Sequence, residues 1–317
     1  MRKAAAIVAI VAGVVLVALP LAYSMFDRTE KAERILDRFE FLTLGDNPDR
    51  YLAEAEVTRD GSTELVEEAI PALTGEADIP EDQLDQRYPA LAEAQQTVPE
   101  AYDFSVRYSE QLDAVDEKFQ SVYDIPVPWL PLTATAWMFV LGGLACLLAG
   151  ASALRRGGRG PLIAVLAIGV VMAAGPVVLG GIAKATDGED VKDFAENGLT
   201  DRAAIAAQDA SGALDRLVIE TEEEVLPDIA EAEGVSPEVV GEELDQRYPD
   251  AGQFLADWDV IGPRLALLAD AVSASVEEFD SARKLPIALP VWVLIALGVA
   301  MGGFAGLALR RPPEAGA

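Results

Sequence analysis

Four stretches of the chain contain no charged residue, and they constrain its fold more than any other feature. They cover residues 4–26, 125–154, 160–183 and 285–309. Each is longer than the roughly 20 apolar residues that a helix needs to cross the hydrocarbon core of a bilayer. A buried helix of a water-soluble protein is rarely so long and so free of charge. The sequence therefore predicts an all-α integral membrane protein with four membrane-spanning helices.

The charges around these stretches predict the topology. Residues 27–124 carry 26 acidic against 9 basic side chains, and residues 184–284 carry 26 against 8, whereas the termini and the central link are basic. Short basic segments stay on the cytoplasmic side of a membrane. We therefore expect both termini and the link in the cytoplasm and both acidic segments outside. The basic residues are Arg2, Lys3, Arg155, Arg156, Arg159, Arg310 and Arg311.

The amino-acid usage predicts where the protein resides and what it contacts. Arginine outnumbers lysine eighteen to six, and alanine and glycine are abundant, a bias typical of a bacterium with a GC-rich genome. With the topology above, this predicts a multi-pass protein of the bacterial plasma membrane. The acidic segments would repel nucleic acid and attract cations or basic partners. The expected partners are the lipid bilayer and another membrane or envelope protein, and not nucleic acid.

The six-residue sequence LDQRYP occurs twice, at residues 84–89 and again at 244–249. Without a gap, the same offset of 160 residues places Phe119 on Phe279 and Pro126 on Pro286. Self-similarity at a fixed offset indicates repeated structural units. The sequence therefore predicts a tandem duplication of one unit, made of a membrane helix, an extracytoplasmic helical bundle and a second membrane helix.

This duplication sets the expected domain boundaries. The first span has the basic start, apolar run and small residues of a signal peptide, with cleavage after Ser24 as the alternative. Because Pro20 matches Pro176 in the internal third span, we expect an uncleaved anchor. The predicted segments are a first span at 1–26, an outer domain at 27–124, a second span at 125–154, a basic link at 155–159, a third span at 160–183, an outer domain at 184–284, a fourth span at 285–309 and a cytoplasmic tail at 310–317.

Apolar residues recur every three and four positions in both acidic segments, which is the pattern of amphipathic helices. Helices are expected at 28–44, from a cap at Ser62, from Pro80 through the first LDQRYP copy, at 100–123 and after the second copy. Ser236 followed by Pro237 is typical of a helix start. No alternating run is long enough to predict a strand. Each outer segment is expected to form a small bundle of three to five helices without disulfides, because Cys146 is the single cysteine.

The composition excludes several kinds of chemistry. The chain has no histidine, so His-based triads and imidazole metal sites are excluded. Cys146 lies in a predicted span without a basic neighbour, which argues against a thiolate nucleophile. The glycine spacing of a phosphate-binding loop and the ligand spacing of an EF-hand are both absent. We therefore predict no catalytic residue, no cofactor, no metal site and no enzymatic activity.

The LDQRYP copies are the strongest candidate site, and two interpretations apply to them. In the structural one, each tyrosine fills a corner between two helices, because the residue before a proline avoids the α region. In the functional one, the polar side chains converge on a ligand or a partner. Pairing of the two copies across a pseudo-twofold axis is a third possibility. The candidate residues are Asp85, Gln86, Arg87, Tyr88, Asp245, Gln246, Arg247 and Tyr248.

The charge-free stretches of the predicted spans contain small residues four positions apart but no Asp, Glu, Lys or Arg. Coupled pumps and ion pathways normally need intramembrane ionisable groups, whereas small residues at this spacing let helices approach closely. Their role is either packing among the four spans or docking of another membrane subunit. The candidate packing residues are Gly142, Cys146, Gly150, Gly298, Gly302 and Gly306.

The hypothesis that fits these features best is a non-enzymatic accessory or scaffold subunit that displays two homologous acidic helical domains outside the cell. The alternative is an extracytoplasmic binding module for a small apolar molecule or lipid. A minimal transporter is a third hypothesis, which would need a polar path that the uncharged spans do not offer.

Overall fold

The structure is a computed structural model that describes residues 1–43, 47–80, 84, 86–97, 116–125, 130–156 and 158–310. Within these ranges the chain is helical and contains no strand, as predicted. The helices are α1 (Arg2–Ala22), α2 (Met25–Thr43), α3 (Asn47–Glu64), α4 (Ile70–Glu76), α5 (89–97), α6 (Asp116–Tyr123), α7 (Ala134–Arg156), α8 (Arg159–Val178), α9 (Gly181–Gly198), α10 (Asp201–Glu220), α11 (Leu226–Glu233), α12 (Pro237–Arg247), α13 (Pro249–Ala282) and α14 (Ala288–Arg310).

Four of these helices, α1, α7, α8 and α14, are long and apolar enough to cross a membrane. This confirms the prediction of four membrane-length helices within the described residues. The bounds differ most for the second, which begins at Ala134 instead of residue 125. Pro131 lies shortly before this start, and a proline cannot supply a backbone donor to a helix interior.

The first and third apolar helices end in the same way. Each contains a proline near its end, Pro20 in α1 and Pro176 in α8. Each is separated from the next helix by a residue with a left-handed backbone, Ser24 (φ 49°) after α1 and Gly180 (φ 69°) after α8. A positive φ stops the regular helix, so the chain turns at equivalent places in its two halves.

The chain forms two compact units. The first contains residues 1–37, 117–195 and 277–317, and the second contains residues 38–116 and 196–276. This division differs from the sequence-based one, in which residues 27–124 and 184–284 formed separate domains. Each unit takes segments from both halves of the chain, here called the first half (residues 1–156) and the second half (residues 158–317).

The first unit is built around the four apolar helices. Its buried core is made largely of alanine, leucine and methionine side chains. Glycines let the helices pack backbone against backbone: a Cβ atom on Gly143 would lie 2.8 Å from the carbonyl oxygen of Gly13, and one on Gly298 would lie 2.6 Å from that of Gly169. These contacts pair α1 with α7 and α8 with α14, so each pair comes from one half of the chain.

Beyond the apolar helices, the first unit pairs segments from opposite halves. Arg34 on α2 forms an ion pair with Glu278 on α13 at 2.8 Å. Phe119 on α6 contacts Phe194 on α9 edge to face, with ring centroids 5.8 Å apart. The start of each acidic segment is thus attached to the end of the other.

The second unit has one hydrophobic core to which both halves contribute. Its fully buried side chains include Leu65 and Ile70 from the first half and Leu217, Ile229 and Phe254 from the second. Amphipathic periodicity shows which face of a helix is buried, but not which helix covers it. Because buried side chains of both halves belong to this one cluster, the two acidic segments form a single core together.

A π-helical turn interrupts one long helix in each half. Residues Leu65–Ala69 join α3 to α4, and residues Thr221–Val225 join α10 to α11. Each turn is followed by a proline, Pro71 or Pro227, which lacks the N–H needed for the regular helical ladder. Single π turns of this kind introduce a local irregularity into an α-helix, and here one residue separates each turn from its proline.

One local prediction was wrong and another lies outside the described residues. Ser62 does not cap a helix, because α3 already begins at Asn47; the buried Ser62 hydroxyl instead donates to the carbonyl oxygen of Arg59 at 3.3 Å. Serine can make this backward bond within a helix. Of the helix expected at 100–123, only Asp116–Tyr123 lies within the described residues.

Candidate functional site

The two LDQRYP copies form the same backbone corner in the second unit. The backbone N–H of Tyr88 donates to Leu84 at 2.7 Å, and that of Tyr248 donates to Leu244 at 2.8 Å. The next helix begins at the following proline in both cases. Tyr248 has φ −132° and ψ 71°, outside the α region, as expected for a residue that precedes proline. The sequence therefore dictates a sharp turn at each copy.

In the first copy, a tyrosine and an arginine converge on one carboxylate. The Tyr88 side chain is fully buried, and its hydroxyl donates to Asp228 Oδ2 at 2.8 Å. The Arg87 guanidinium contacts the same oxygen at 2.7 Å and lies over the Tyr88 ring, 5.6 Å from its centroid. Asp228 is located on α11, in the opposite half of the chain.

Burial and charge keep the Tyr88 hydroxyl protonated. Desolvation raises the pKa of Tyr88 above its usual value of 10, and the hydrogen bond to Asp228 raises it further. The neighbouring Arg87 acts in the opposite direction, but it does not reverse the shift. A group with a raised phenolic pKa donates a hydrogen bond and is a poor general base at neutral pH.

In the second copy, the arginine forms an ion pair with the other half, whereas the tyrosine hydroxyl contacts the neighbouring Arg247. Arg247 donates to both carboxylate oxygens of Glu76, at 2.7 and 2.8 Å, and also contacts Glu243. Its hydrogen bonds hold the pKa of Glu76 below the usual value of 4.5, and those of both glutamates raise the pKa of Arg247. Tyr248 is only partly buried, and Arg247 lies over its ring at 5.4 Å.

Two glutamates complete the corners by binding the helices that begin there. The buried Glu220 accepts hydrogen bonds from the backbone N–H groups of Ala90 (3.0 Å) and Leu91 (2.8 Å). Glu64 accepts one from Ala251 at 2.8 Å. Backbone donors in the first turn of a helix have no partner within the helix, and a negative charge is favourable there. Each glutamate immediately precedes a π turn and binds a helix of the opposite half.

Glycines permit the close approach that these bonds require. A Cβ atom on Gly61 would collide with Phe254 and with the Asp250 carbonyl oxygen, at the start of α13. One on Gly252 would lie 2.9 Å from the Cα atom of Asp245. The positions next to the corners thus exclude a larger side chain.

The predicted motif residues fall into two groups. Arg87, Tyr88 and Arg247 take part in the contacts between halves, whereas Gln86, Asp245 and Gln246 are exposed and Tyr248 is partly exposed. Asp85 lies outside the described residues. The first copy contacts Asp228 and the second contacts Glu76, and each of these partners lies on the helix that follows the π turn of the other half. These contacts favour the structural interpretation of the motif.

Sequence reasoning missed the acidic partners of both corners. The sequence does contain a pattern that could have identified two of these partners. Glu64 and Glu220 each lie the same number of residues before a proline, Pro71 and Pro227 respectively. Acidic residues are so frequent in this chain that neither glutamate stands out. Their burial or contact with a helix start is a property of the three-dimensional fold.

The predicted packing residues of the apolar helices also divide into two groups. Gly150 and Gly298 lie against another backbone, and Cys146 is fully buried. A Cβ atom added to Gly142, Gly302 or Gly306 would meet no atom within 4 Å, although the backbone nitrogen of Gly302 would lie 2.7 Å from a Cβ atom on Gly169. Gly13, Gly143 and Gly169 also make close backbone contacts, although their spacing alone did not single them out.

The polar groups of the corners satisfy one another and hold the two halves together. Groups of three or more His, Cys, Asp or Glu side chains that could hold a metal ion are absent from the part of the chain that the structure describes. The sequence matches no protein-family model, and no curated protein matches it either.

Proposed function

We propose that the protein is a non-enzymatic scaffold subunit of the bacterial plasma membrane, formed by a tandem duplication. It holds an acidic helical domain outside the cell for a basic surface of another membrane or envelope protein. The observation that carries this proposal is that the polar side chains at the two LDQRYP corners bond to other parts of the same chain. The arginine, tyrosine and glutamate side chains at the corners bond to the opposite half of the chain and so join the two halves.

Three further features support this function. The four apolar helices carry no Asp, Glu, Lys or Arg in residues 4–22, 134–154, 160–178 and 288–309, and so these stretches present no charged side chain along a transport path. The acidic segments have net charges of −17 and −18, which favours association with a basic surface and makes it dependent on salt. The open position Gly306 leaves room for another apolar helix.

Purification from native membranes tests this function. The full-length protein would be isolated in mild detergent, with and without chemical cross-linking, and analysed by mass spectrometry. We expect a reproducible protein partner with a basic surface, whose recovery falls at high ionic strength. A matched variant replaces the exposed run Glu222, Glu223 and Glu224 by glutamine and should recover less partner while remaining folded.

The alternative result would overturn the proposal. A bound lipid or small apolar molecule, found without any protein partner, would assign the acidic domain to ligand binding. A partner that is retained equally by the wild type and the glutamine variant at all salt concentrations would contradict the role of the acidic surface.

A further inference from the structure

Three sulfur atoms from three different helices meet in the core of the apolar helices. The thiol of Cys146 on α7 lies 3.7 Å from the Met172 sulfur on α8 and 3.8 Å from the Met301 sulfur on α14. All three side chains are buried, with exposed fractions of 0%, 8% and 0%. The chain has one cysteine and five methionines, so half of its sulfur-containing residues lie in this cluster.

These sulfurs occupy positions at which the two halves differ. At the offset that aligns the LDQRYP copies, Met301 falls on Leu141, and Cys146 falls on Gly306. At the offset that aligns Pro20 with Pro176, Met172 falls on Leu16. The equivalent positions therefore hold no sulfur: Leu16 is buried in the same core, whereas Leu141 is 61% exposed and Gly306 has no side chain.

We propose that Cys146, Met172 and Met301 form a binding site for a single Cu(I) ion. Thiolate and thioether ligands are soft, and they select Cu(I) over hard cations. This inference does not rest on the scaffold function. It departs from the sequence-based expectation of no metal site, because the three ligands are far apart along the chain and only the fold brings them together.

The two sulfur–sulfur separations from Cys146 need little change to accept the ion. A sulfur–metal bond of about 2.3 Å, as in metal thiolates, places two ligand sulfurs about 4 Å apart in a planar trigonal site. The observed separations of 3.7 and 3.8 Å are slightly shorter. Unbranched methionine side chains have three rotatable bonds and can make this adjustment. Without metal, the single thiol proton can serve only one of the two methionine acceptors at a time.

Charge explains the preference for a monovalent ion. On binding, the Cys146 S–H bond breaks, a sulfur–copper bond forms and the proton leaves to solvent, while copper remains Cu(I) throughout. The thiolate and Cu(I) together are neutral, which suits an apolar core where an unpaired charge is costly. A divalent zinc ion with the same ligands would leave one uncompensated positive charge, and it favours four ligands.

Competition for Cu(I) tests the site. The full-length protein in detergent would be titrated without oxygen against the coloured bicinchoninate complex of Cu(I), and bound copper would be counted by elemental analysis. We expect about one Cu(I) per chain. Met172→Leu and Met301→Leu should each weaken binding at least about tenfold, as should Cys146→Ser, since losing even an outer-shell partner costs a metal site this much. X-ray absorption should show a shell of sulfur ligands.

Met138→Leu is the matched control, because this methionine lies on the same helix as Cys146 but is 49% exposed. It should bind copper like the wild type. The leucine variants keep the volume of the core and should remain folded, which keeps the test valid if Cys146→Ser does not fold. The proposal is overturned if the wild type withdraws no copper, or if the leucine variants bind as tightly as the wild type.

Discussion

The carboxylate of Glu220 lies 2.8 Å from the backbone nitrogen of Leu91, so a side chain of the second half binds the start of a helix in the first. Glu64 makes the reciprocal contact with the backbone N–H of Ala251. Both glutamates immediately precede a π turn. The two halves of the chain are therefore joined by an exchange of helix-capping groups.

Removing the Glu220 carboxylate should destabilise the fold. Glu220→Ala leaves two backbone donors without an acceptor in a buried site, at a cost of about 1–3 kcal/mol. Thermal unfolding of the full-length protein in detergent measures the loss. The control is Glu223→Ala, since Glu223 is exposed and lies within the adjacent π turn. Equal stability of the two variants would show that the cap does not contribute.

The two motif tyrosines should respond differently to loss of the hydroxyl. Tyr88→Phe removes the buried bond to Asp228 and is expected to cost about 1–2 kcal/mol, whereas Tyr88→Ala should cost about 3–5 kcal/mol. Tyr248→Phe should have a smaller effect, because Tyr248 is partly exposed and its hydroxyl has only a 3.5 Å contact with Arg247. The same unfolding measurement ranks the variants. A Tyr248→Phe effect as large as that of Tyr88→Phe would contradict the assigned roles.

The ion pair between Arg247 and Glu76 predicts a pH dependence. Because the folded-state pKa of Glu76 lies below its usual 4.5, the pair contributes stability that is fully present above about pH 4.5. This contribution is lost as the pH falls through the folded-state pKa. The difference in melting temperature between wild type and Glu76→Gln should therefore be present at pH 7 and vanish in acid. A difference that grows on acidification would have the wrong sign.

Glycines of one apolar helix should differ in their tolerance of substitution. Gly298→Leu places a side chain against the backbone of α8 and should prevent the close packing of α8 with α14. Gly306→Leu on the same helix meets open space and should leave stability unchanged. Stability in detergent separates the two variants. If Gly306→Leu instead loses a protein partner while staying folded, it also supports docking at that position.

Reporter fusions test the proposed topology. Fusions at residues 100, 158 and 250 should report outside, inside and outside, because the link and both termini are basic and the long segments are acidic. Enzymes that are active on only one side of the membrane provide the readout. Any other order would refute this topology, and a cleaved N-terminus after Ser24 would refute the anchor.

The sequence predicts the helices well because their causes are local. Charge-free runs located the four apolar helices, and the proline after each motif tyrosine located the corners. The start of α7 was misplaced because the charge-free run includes Pro131, and the absence of charge does not reveal a residue that breaks a helix. The break between α1 and α2 was not predicted, because its left-handed residue is Ser24 and not a glycine that would have marked it in the sequence.

The partners of these elements could not be predicted, because they depend on contacts between distant segments. The apolar stripe around Leu217 shows that one face is buried, but not that Leu65 and Ile70 of the other half share its core. Likewise, nothing local connects Arg247 with Glu76, or Cys146 with Met301. Two segments with similar stripes can form two cores or one, and only long-range packing decides between these outcomes.

Division of the chain at its central link tests the exchange between halves most directly. Residues 1–157 and 158–317 would be produced as separate polypeptides, alone and together, and followed by co-purification and protease resistance. We expect each half alone to be degraded or aggregated, and the two together to form a stable complex that Glu220→Ala weakens. Two halves that fold separately, resist protease and do not associate would contradict the shared core.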